Sequence, residues 1–225
     1  MKLLNFAFLS LSLITWSCQS EDIEDKITGS GVLKSETRAI TNTNINEIQV
    51  NGDFTTSFST RNDISKIFVL AEDNLIPYIL TDESNGTIKI EEKEGFTIAN
   101  KEPLIVDVKS ATLNGVTING NGKFIGDLLH GANPYVTVNG SGTAEINDIK
   151  ENSVNITVNG NGFVELNGSV ATANLLINGN GVIQISAIST TLNIRINGSG
   201  VVYYVGSPKL NTIIEGTGKV LKINE

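Results

Sequence analysis

Residues 156–166 read ITVNGNGFVEL, two short runs of alternating apolar residues on either side of an Asn-Gly-Asn-Gly corner. Related corners return along the chain, and their first glycines lie at positions 120, 140, 160, 179, 198 and 216. The steps between them are 20, 20, 19, 19 and 18 residues. A fixed period of this length predicts stacked copies of one structural unit that is too small to bury its own apolar face.

The apolar residues of each unit alternate as in half-buried strands. The residue directly before the corner is Ile118, Val138, Val158, Ile177, Ile196 or Ile214, and the second residue after it is Phe124, Ala144, Val164, Ile183, Val202 or Val220. A third short segment is predicted at Leu128, Ile149, Val170, Ile188 and Leu210. Such units leave no room for a crossover helix, so equivalent strands must pair in parallel, about 4.8 Å apart. The sequence therefore predicts an all-β fold, a right-handed parallel β-helix (β-solenoid).

The glycines are predicted to lie at the corners, because a glycine within a strand costs roughly 0.5–1 kcal/mol relative to alanine. If the alternation continues through the corner, both glycines of a pair point inward. The stacked asparagines would then form a structural ladder in which each side-chain amide bonds to the next. The predicted corner residues are Asn119, Gly120, Gly122, Asn139, Gly140, Gly142, Asn159, Gly160, Gly162, Asn178, Gly179, Gly181, Asn197, Gly198 and Gly200.

The chain before residue 110 is less regular, and we interpret residues 28–110 as irregular opening coils of the same solenoid. Residues 29–31 and 51–53 resemble degenerate corners. Residues 73–77 predict a short or single helical turn, and residues 82–86 a hairpin or loop. Terminal units of repeat proteins are commonly atypical because they shield the end of the core from water.

The amino terminus predicts export. Residues 1–17 have the features of a lipoprotein signal peptide, and Cys18 follows a small residue, as in a lipobox. Cys18 is the predicted lipidation site, with an ordinary secretory signal as the alternative. Residues 18–27 are acidic and predict a flexible tether, either a plain linker or a short export tag. The predicted location is an outer-membrane lipoprotein, anchored to the membrane by lipid and facing the periplasm or the cell surface.

Charge and composition exclude several kinds of function. The net charge is −8 and the sixteen basic residues are scattered, which argues against nucleic acid as a partner. His130 is the only histidine and is predicted to be solvated, and Cys18 is the only cysteine. Most zinc sites and catalytic triads are thereby excluded, and we predict no cofactor and no metal.

Several segments together resemble a known family. They are residues 29–31, residues 71–79, residues 87–90 and the repeated Asn-Gly-x-Gly corners. The chain resembles the autotransporter-adhesin head domain, or GIN domain, over about residues 28–225, which we take as a single domain. The resemblance implies a β-helical fold and an extracytoplasmic location. The family has no established activity, so the resemblance supplies no catalytic residues.

Three residues are candidates for a surface site. Glu145 and Glu165 occupy the same place in neighbouring units and are expected to point outward about 5 Å apart, close to the carboxylate spacing of a retaining glycosidase. The next two units place Gln184 and Tyr203 there. Tyr203 is therefore expected to be exposed, as is Phe163, and exposed aromatic rings stack on sugars or dock partners. Random surface positions or contacts in a dimer explain these residues equally simply.

These features favour a non-catalytic adhesion or binding protein of the cell envelope. Its partner would be glycan or an envelope protein, contacted weakly at many points along repeated side-chain rows. Two alternatives stay open. One is a polysaccharide-acting enzyme with Glu145 and Glu165 as its carboxylates, and the other is a purely structural envelope protein.

Overall fold

The computed structural model describes residues 25–63 and 65–223, which are almost entirely β-structure. The first part contains β1 (Asp25–Thr28), β2 (Leu33–Ala39), β3 (Asn44–Asn51), β4 (Thr55–Thr60), β5 (Lys66–Glu72), a 3₁₀ turn (Ile76–Tyr78), β6 (Ile79–Ser84), β7 (Thr87–Glu92), β8 (Phe96–Ala99) and β9 (Ile105–Ser110). The repeat region contains β10 (Thr112–Gly120), β11 (Lys123–Gly126), β12 (Tyr135–Gly140), β13 (Thr143–Ile146), β14 (Lys150–Gly160), β15 (Phe163–Leu166), β16 (Ser169–Gly179), β17 (Val182–Ile185), β18 (Ile188–Gly198), β19 (Val201–Tyr204), β20 (Lys209–Gly216) and β21 (Lys219–Lys222).

The predicted signal peptide and Cys18 lie outside the described residues. The predicted tether, residues 18–27, is described only at its end, where residues 25–27 belong to β1. That strand pairs in parallel with β8, so these three residues are not part of a flexible linker.

The repeat region winds as a parallel β-solenoid, as the period predicted. Each coil consists of a longer strand, a glycine corner and a four-residue strand, and every strand pairs in parallel with its equivalent one coil away. The register follows the repeat, because Asn139 lies between Asn119 and Asn159. The longer strands form one sheet and the short strands form a second. The right-handed winding stays a prediction.

Two details of the predicted unit were wrong. The apolar residues assigned to a third segment lie mostly in the longer strand itself; β16, for example, already includes Val170. In the first unit Leu129, not Leu128, is buried and bridges to Ile149. Each coil therefore has two strands joined by loops, since alternation alone does not separate a third strand from an extension of the first.

The core lies between the two sheets and is filled by rows of stacked aliphatic side chains. Three of the rows are Val116, Val136, Ile156, Leu175 and Ile194; Ile118, Val138, Val158, Ile177 and Ile196; and Phe124, Ala144, Val164, Ile183 and Val202. All of these residues are buried. Full burial of one such aliphatic or aromatic side chain contributes about 1.5–3 kcal/mol, so the repeated rows are the main source of stability.

The chain order before residue 110 differs from the predicted succession of coils. The coil formed by β3 and β4 lies between two others, with β7 and β9 on one side and β10 and β11 on the other. After β9 the chain therefore passes the β3–β4 coil before it begins the regular repeat. Only the degenerate corner at residues 51–53 belongs to the stacked series, because Asn51 pairs with Asn119.

Antiparallel strands close the amino-terminal end of the solenoid. β5 pairs with β9 and β2 with β5 in one sheet, and β6 pairs with β7 in the other. The predicted hairpin at residues 82–86 is confirmed, with Asn85 and Gly86 in the left-handed region at φ 51° and 77°. Arg38 of β2 joins the two sheets by donating to the Ile79 carbonyl at 2.8 Å and to Thr81 Oγ1 at 3.0 Å.

The opposite end is open within the described residues. β20 is the last strand of its sheet and β21 the last of the other. Leu210 and Ile214 continue the inward rows of the preceding coils, yet they are 39% and 40% exposed. The solenoid therefore has one end closed by antiparallel strands and one end at which the core reaches the surface.

Candidate functional site

The corner asparagines form the predicted amide ladder. Each Nδ2 donates to the Oδ1 of the asparagine one coil earlier. The distances are 2.7 Å from Asn119 to Asn51, 2.8 Å from Asn139 to Asn119, 2.8 Å from Asn159 to Asn139, 2.7 Å from Asn178 to Asn159 and 2.7 Å from Asn197 to Asn178. All of these bonds run in one direction, which gives the ladder a donor end and an acceptor end.

A charged side chain satisfies each end of this corner ladder. At the first end Asn51 Nδ2 donates to Glu91 Oε2 at 3.0 Å, and Lys89 pairs with the same oxygen at 2.7 Å. At the other end Arg195 Nε donates to Asn197 Oδ1 at 3.3 Å, while its Nη2 pairs with Glu215 Oε1 at 2.6 Å. The free donor at one end and the free acceptor at the other end of the ladder therefore both have charged partners.

The two glycines of each corner have different roles, which corrects the prediction that both point inward. The first glycine has a positive φ, for example 123° at Gly160, a region that other residues rarely adopt. The second glycine is the one that faces the core. A Cβ on Gly162 would lie 2.5 Å from Val138 Cγ1 of the preceding coil. The first glycine permits the bend, and both permit the coils to approach, because a Cβ on Gly160 would lie 2.5 Å from the Gly140 carbonyl oxygen.

A second amide ladder runs beside the first and was not predicted. Nδ2 of Asn174 donates to Asn155 Oδ1 at 3.0 Å, Asn193 to Asn174 at 2.8 Å, and Asn211 to Asn193 at 2.7 Å. Each of these residues precedes its corner position by four residues, so the repeat did contain the signal. An amide has two N–H donors and two acceptor lone pairs. An asparagine within the ladder uses one N–H and one lone pair for its two neighbours. One N–H and one lone pair are left for a partner.

An open groove of about 770 Å³ lies on the outer face of β14, β16, β18 and β20. The second ladder forms one part of its lining. The other outward row consists of Thr157, Leu176, Arg195 and Ile213. Ile213 is 54% exposed, and Leu176 is partly exposed. Rows of amides beside exposed aliphatic side chains and one guanidinium give the groove polar, apolar and cationic contacts in a line parallel to the solenoid axis.

Tyr135 extends this face beyond the second ladder. It is the register partner of Asn155, and its ring packs on Gly115, where a Cβ would overlap the ring. Burial raises the pKa of Tyr135, and the neighbouring Glu47 carboxylate raises it further, so the phenol stays protonated at neutral pH. The partly exposed ring supplies an aromatic surface that sequence reasoning missed, because its row contains no other aromatic residue.

The predicted surface residues do lie in one outward row, but on the other sheet. Glu145 and Glu165 are register partners, followed by Gln184 and Tyr203. Both carboxylates have neighbours: Glu145 pairs with Lys123 at 2.8 Å, and Gln184 Nε2 lies 3.5 Å from Glu165 Oε1. This row, with Phe163 beside it, does not line the groove.

His130 is exposed, as expected, but it has a partner. Its ring nitrogen Nδ1 lies 2.5 Å from Glu151 Oε1, and the side chain is 63% exposed. The pair joins the loop after β11 to the beginning of β14. A single histidine on a loop with one carboxylate neighbour supports a surface contact between coils, since a catalytic triad needs a third group and a nucleophile.

Residues 29–31 do not form a solenoid corner, contrary to the prediction. Gly31 N donates to Glu72 Oε1 at 2.6 Å, and Ser30 donates to the side chains of Asp73 and Asn74. The second Glu72 oxygen accepts from the backbone N–H of Lys101 at 2.9 Å. Two of the segments that carried the family resemblance therefore contact each other at the closed end, although they are about forty residues apart.

No group of three or more histidine, cysteine, aspartate or glutamate residues in residues 25–63 and 65–223 is arranged to hold a metal ion. Within that part of the chain, no helix has the length and apolar character needed to span a membrane.

Several solved structures have a similar fold. A "putative adhesin" from Bacteroides fragilis NCTC 9343 matches with a TM-score of 0.69 and 18% identity, over 88% of this chain and 100% of that one. A "putative lipid binding protein" from Parabacteroides distasonis ATCC 8503 has a TM-score of 0.63 and 20% identity, over 89% and 100%. A "putative adhesin" from Parabacteroides merdae ATCC 43184 has a TM-score of 0.61 and 22% identity, over 89% and 100%. At these identities the likeness concerns the fold.

Comparison with curated proteins found no match. The sequence profile of one family matches residues 44–225, a span that includes every coil of the regular repeat. The match begins after β2, so it does not include residues 29–31. On that match, and with the stacked coils in agreement, the chain belongs to the family described as "Putative auto-transporter adhesin, head GIN domain".

Proposed function

We propose that this protein is a non-catalytic binding protein of the cell exterior that holds a linear glycan in the groove on β14, β16, β18 and β20. The family and the similar structures support a binding or envelope role. The observation that carries the assignment to this face is the second amide ladder beside the partly exposed Leu176 and the exposed Ile213. Its spare donors and acceptors repeat at strand spacing, about 4.8 Å.

A glycan suits this face for two reasons. Its hydroxyl groups both donate and accept hydrogen bonds, and so match the unused N–H donors and oxygen lone pairs of the amide row. Its apolar ring faces can lie against Leu176 and Ile213, with Tyr135 at one end of the row as an aromatic surface. The contacts are shallow and repeated, so each is weak and their sum determines the affinity.

A lipid is the second candidate, because the groove also contains a cationic side chain beside aliphatic ones. Arg195 lies between Leu176 and Ile213 in the outward row, an arrangement that fits an anionic headgroup beside an acyl chain. One of the structures of similar fold is described as a lipid-binding protein. The guanidinium already pairs with Glu215, so a headgroup would have to compete with that carboxylate.

The groove can be tested with one substitution and a matched control. Leu176→Lys places a long charged side chain at the centre of the groove, and we expect it to weaken glycan binding by about tenfold or more, equivalent to about 1.4 kcal/mol. Val182→Lys makes the same change on the outer face of the other sheet in the same coil and should leave binding unchanged. Binding is measured on a glycan array and by flotation with anionic phospholipid vesicles.

The outcomes separate the candidates. Binding to vesicles alone, lost in Leu176→Lys, would favour the lipid. Equal losses in the two variants would contradict a role for the groove. Release of reducing sugar from a polysaccharide that is abolished by Glu165→Gln would replace the binding protein with the enzyme. No response in any assay would favour a structural role.

We also propose that the protein is anchored to the outer membrane through Cys18, which places the solenoid outside the cytoplasm. The sequence around Cys18 supports this. Metabolic labelling with a fatty acid should mark the wild-type chain and leave Cys18→Ala unlabelled. Protease treatment of whole cells then separates a surface-facing protein, which is digested, from a periplasmic one. Labelling of Cys18→Ala would exclude this anchor.

A further inference from the structure

The open end of the solenoid has the properties of an unfinished sheet. Along β20 the inward residues Leu210 and Ile214 are 39% and 40% exposed, although their equivalents one coil earlier, Leu192 and Ile196, are fully buried. In the described residues the outer edge of β20 has no strand beside it. An edge with free N–H and C=O groups and apolar side chains is a template for another strand.

We propose that β20 pairs with β20 of a second copy of this chain, antiparallel and centred on Thr212. In this arrangement two molecules meet at their open ends around a two-fold axis. Leu210 of one copy lies opposite Ile214 of the other, and both side chains lie on the inner face, so each covers an exposed residue of its partner. The closed ends point away from the contact.

The charges of β20 select this register. Centring on Thr212 places Lys209 opposite Glu215 of the other copy, twice, and opposite charges across strands attract. Glu215 also pairs with Arg195 of its own chain at 2.6 Å, so Lys209 would share this carboxylate with Arg195. A register centred on Ile213 would place Leu210 opposite Gly216 and leave Lys209 without a partner. Both registers keep inner residues on the inner face, since the side-chain period is two. Only the first matches charge with charge and aliphatic with aliphatic.

A second copy fits this edge better than a growing stack of chains. The other end of the solenoid is closed by β2, β5 and β6, which run antiparallel to their neighbours and present a different surface. A head-to-tail contact would therefore join unlike edges, while the pairing of β20 with itself is closed after two molecules.

Cross-linking tests the pairing and its register together. All variants are made in the full-length chain with Cys18→Ser, so that no other thiol is present. Thr212→Cys should form a covalent dimer under mild oxidation, because directly opposed residues have Cα atoms about 4.5–5.5 Å apart, within disulfide range. Leu210→Cys is the matched control on the same strand and face. Its two copies would lie four residues apart, about 13 Å, and should not cross-link.

Charge exchange provides a second measurement. Without oxidant, sedimentation equilibrium of the Cys18→Ser chain should show a fraction of dimer that rises with protein concentration. Lys209→Glu should weaken this dimer about tenfold or more by opposing two pairs of carboxylates, and Lys209→Glu with Glu215→Lys should restore it. A strictly monomeric chain would overturn the proposal, whatever keeps the edge of β20 from pairing. Equal cross-linking of Thr212→Cys and Leu210→Cys, or no rescue by the double exchange, would also overturn it.

Discussion

Gly162→Ala should lower the free energy of unfolding by about 1–3 kcal/mol, the usual cost of adding a methyl group to a filled core. The added Cβ would lie 2.5 Å from Val138 Cγ1 and 3.0 Å from the Gly142 carbonyl oxygen. Val138 is fully buried and Gly142 belongs to the neighbouring corner, so neither can move without shifting a coil. The free energy is measured by urea denaturation followed by circular dichroism.

A double-mutant cycle tests whether the contact with Val138 causes this loss. Val138→Ala alone is destabilising because it leaves a cavity, but it also removes the methyl group that the new Cβ would meet. Gly162→Ala with Val138→Ala should therefore be less destabilised than the sum of the single variants. Backbone strain does not contribute at Gly162, because it is not one of the glycines with a positive φ. Additive losses would contradict the explanation.

The regular part of the fold could be predicted because the sequence repeats what the structure repeats. The corner asparagines are spaced by one coil, so their alignment gave the register of the strands and the amide ladder. The order of the first coils could not be found in this way. Apolar alternation in β3 and β7 shows which faces are buried, but not that β3 lies between β7 and β10. The order of these strands in the sheet depends on how their side chains pack against one another in three dimensions, which alternation along the chain does not contain.

The groove was missed for the opposite reason: its outward residues do not repeat. Thr157, Leu176, Arg195 and Ile213 occupy equivalent positions in four coils and have four different side chains. A search for repeated rows finds the amides beside them and passes over this row. Glu145 and Glu165 attracted attention because they do repeat, yet they lie on the other sheet and Glu145 already has an ion-pair partner. Repetition therefore identifies the amide row that the groove offers to a ligand, but not the varied side chains beside that row.

Acid should weaken the closed end of the solenoid before the regular coils. Burial by itself would raise the pKa of Glu72. The backbone N–H groups of Lys101, Gly31 and Glu102 and the Lys101 charge lower it by more than burial raises it, so the pKa lies below the ordinary 4.5. The pKa values of Glu83 and Glu91 are also lowered against the effect of burial, by bonds to residues 41–42 and by Lys89 with Asn51, respectively. All three carboxylates lie in the irregular part of the chain.

The direction of the pH dependence follows from these shifts. A carboxyl group whose pKa is lower in the folded state than in the unfolded state binds fewer protons when folded. Its contribution to stability is therefore complete above pH 4.5 and is lost as the pH falls through the folded-state pKa. Glu72→Gln should lower the urea midpoint at neutral pH, where the carboxylate holds residues 29–31 against the loop at Lys101, and should converge with the wild type in acid.

The measurement is urea denaturation from pH 7 to about pH 3, the range in which shifted carboxylates titrate. Hydrogen exchange at residues 29–31 and 101–102 provides the local readout. Glu94→Gln is the matched control, because Glu94 is an exposed glutamate of the same region. It should follow the wild-type curve. If the midpoint of Glu72→Gln stays below that of the wild type by the same amount at every pH, the charge of Glu72 is not what secures the closed end. Faster exchange at residues 29–31 in acid, with the corners at residues 140–160 still protected, is the result expected when its protonation releases the cap.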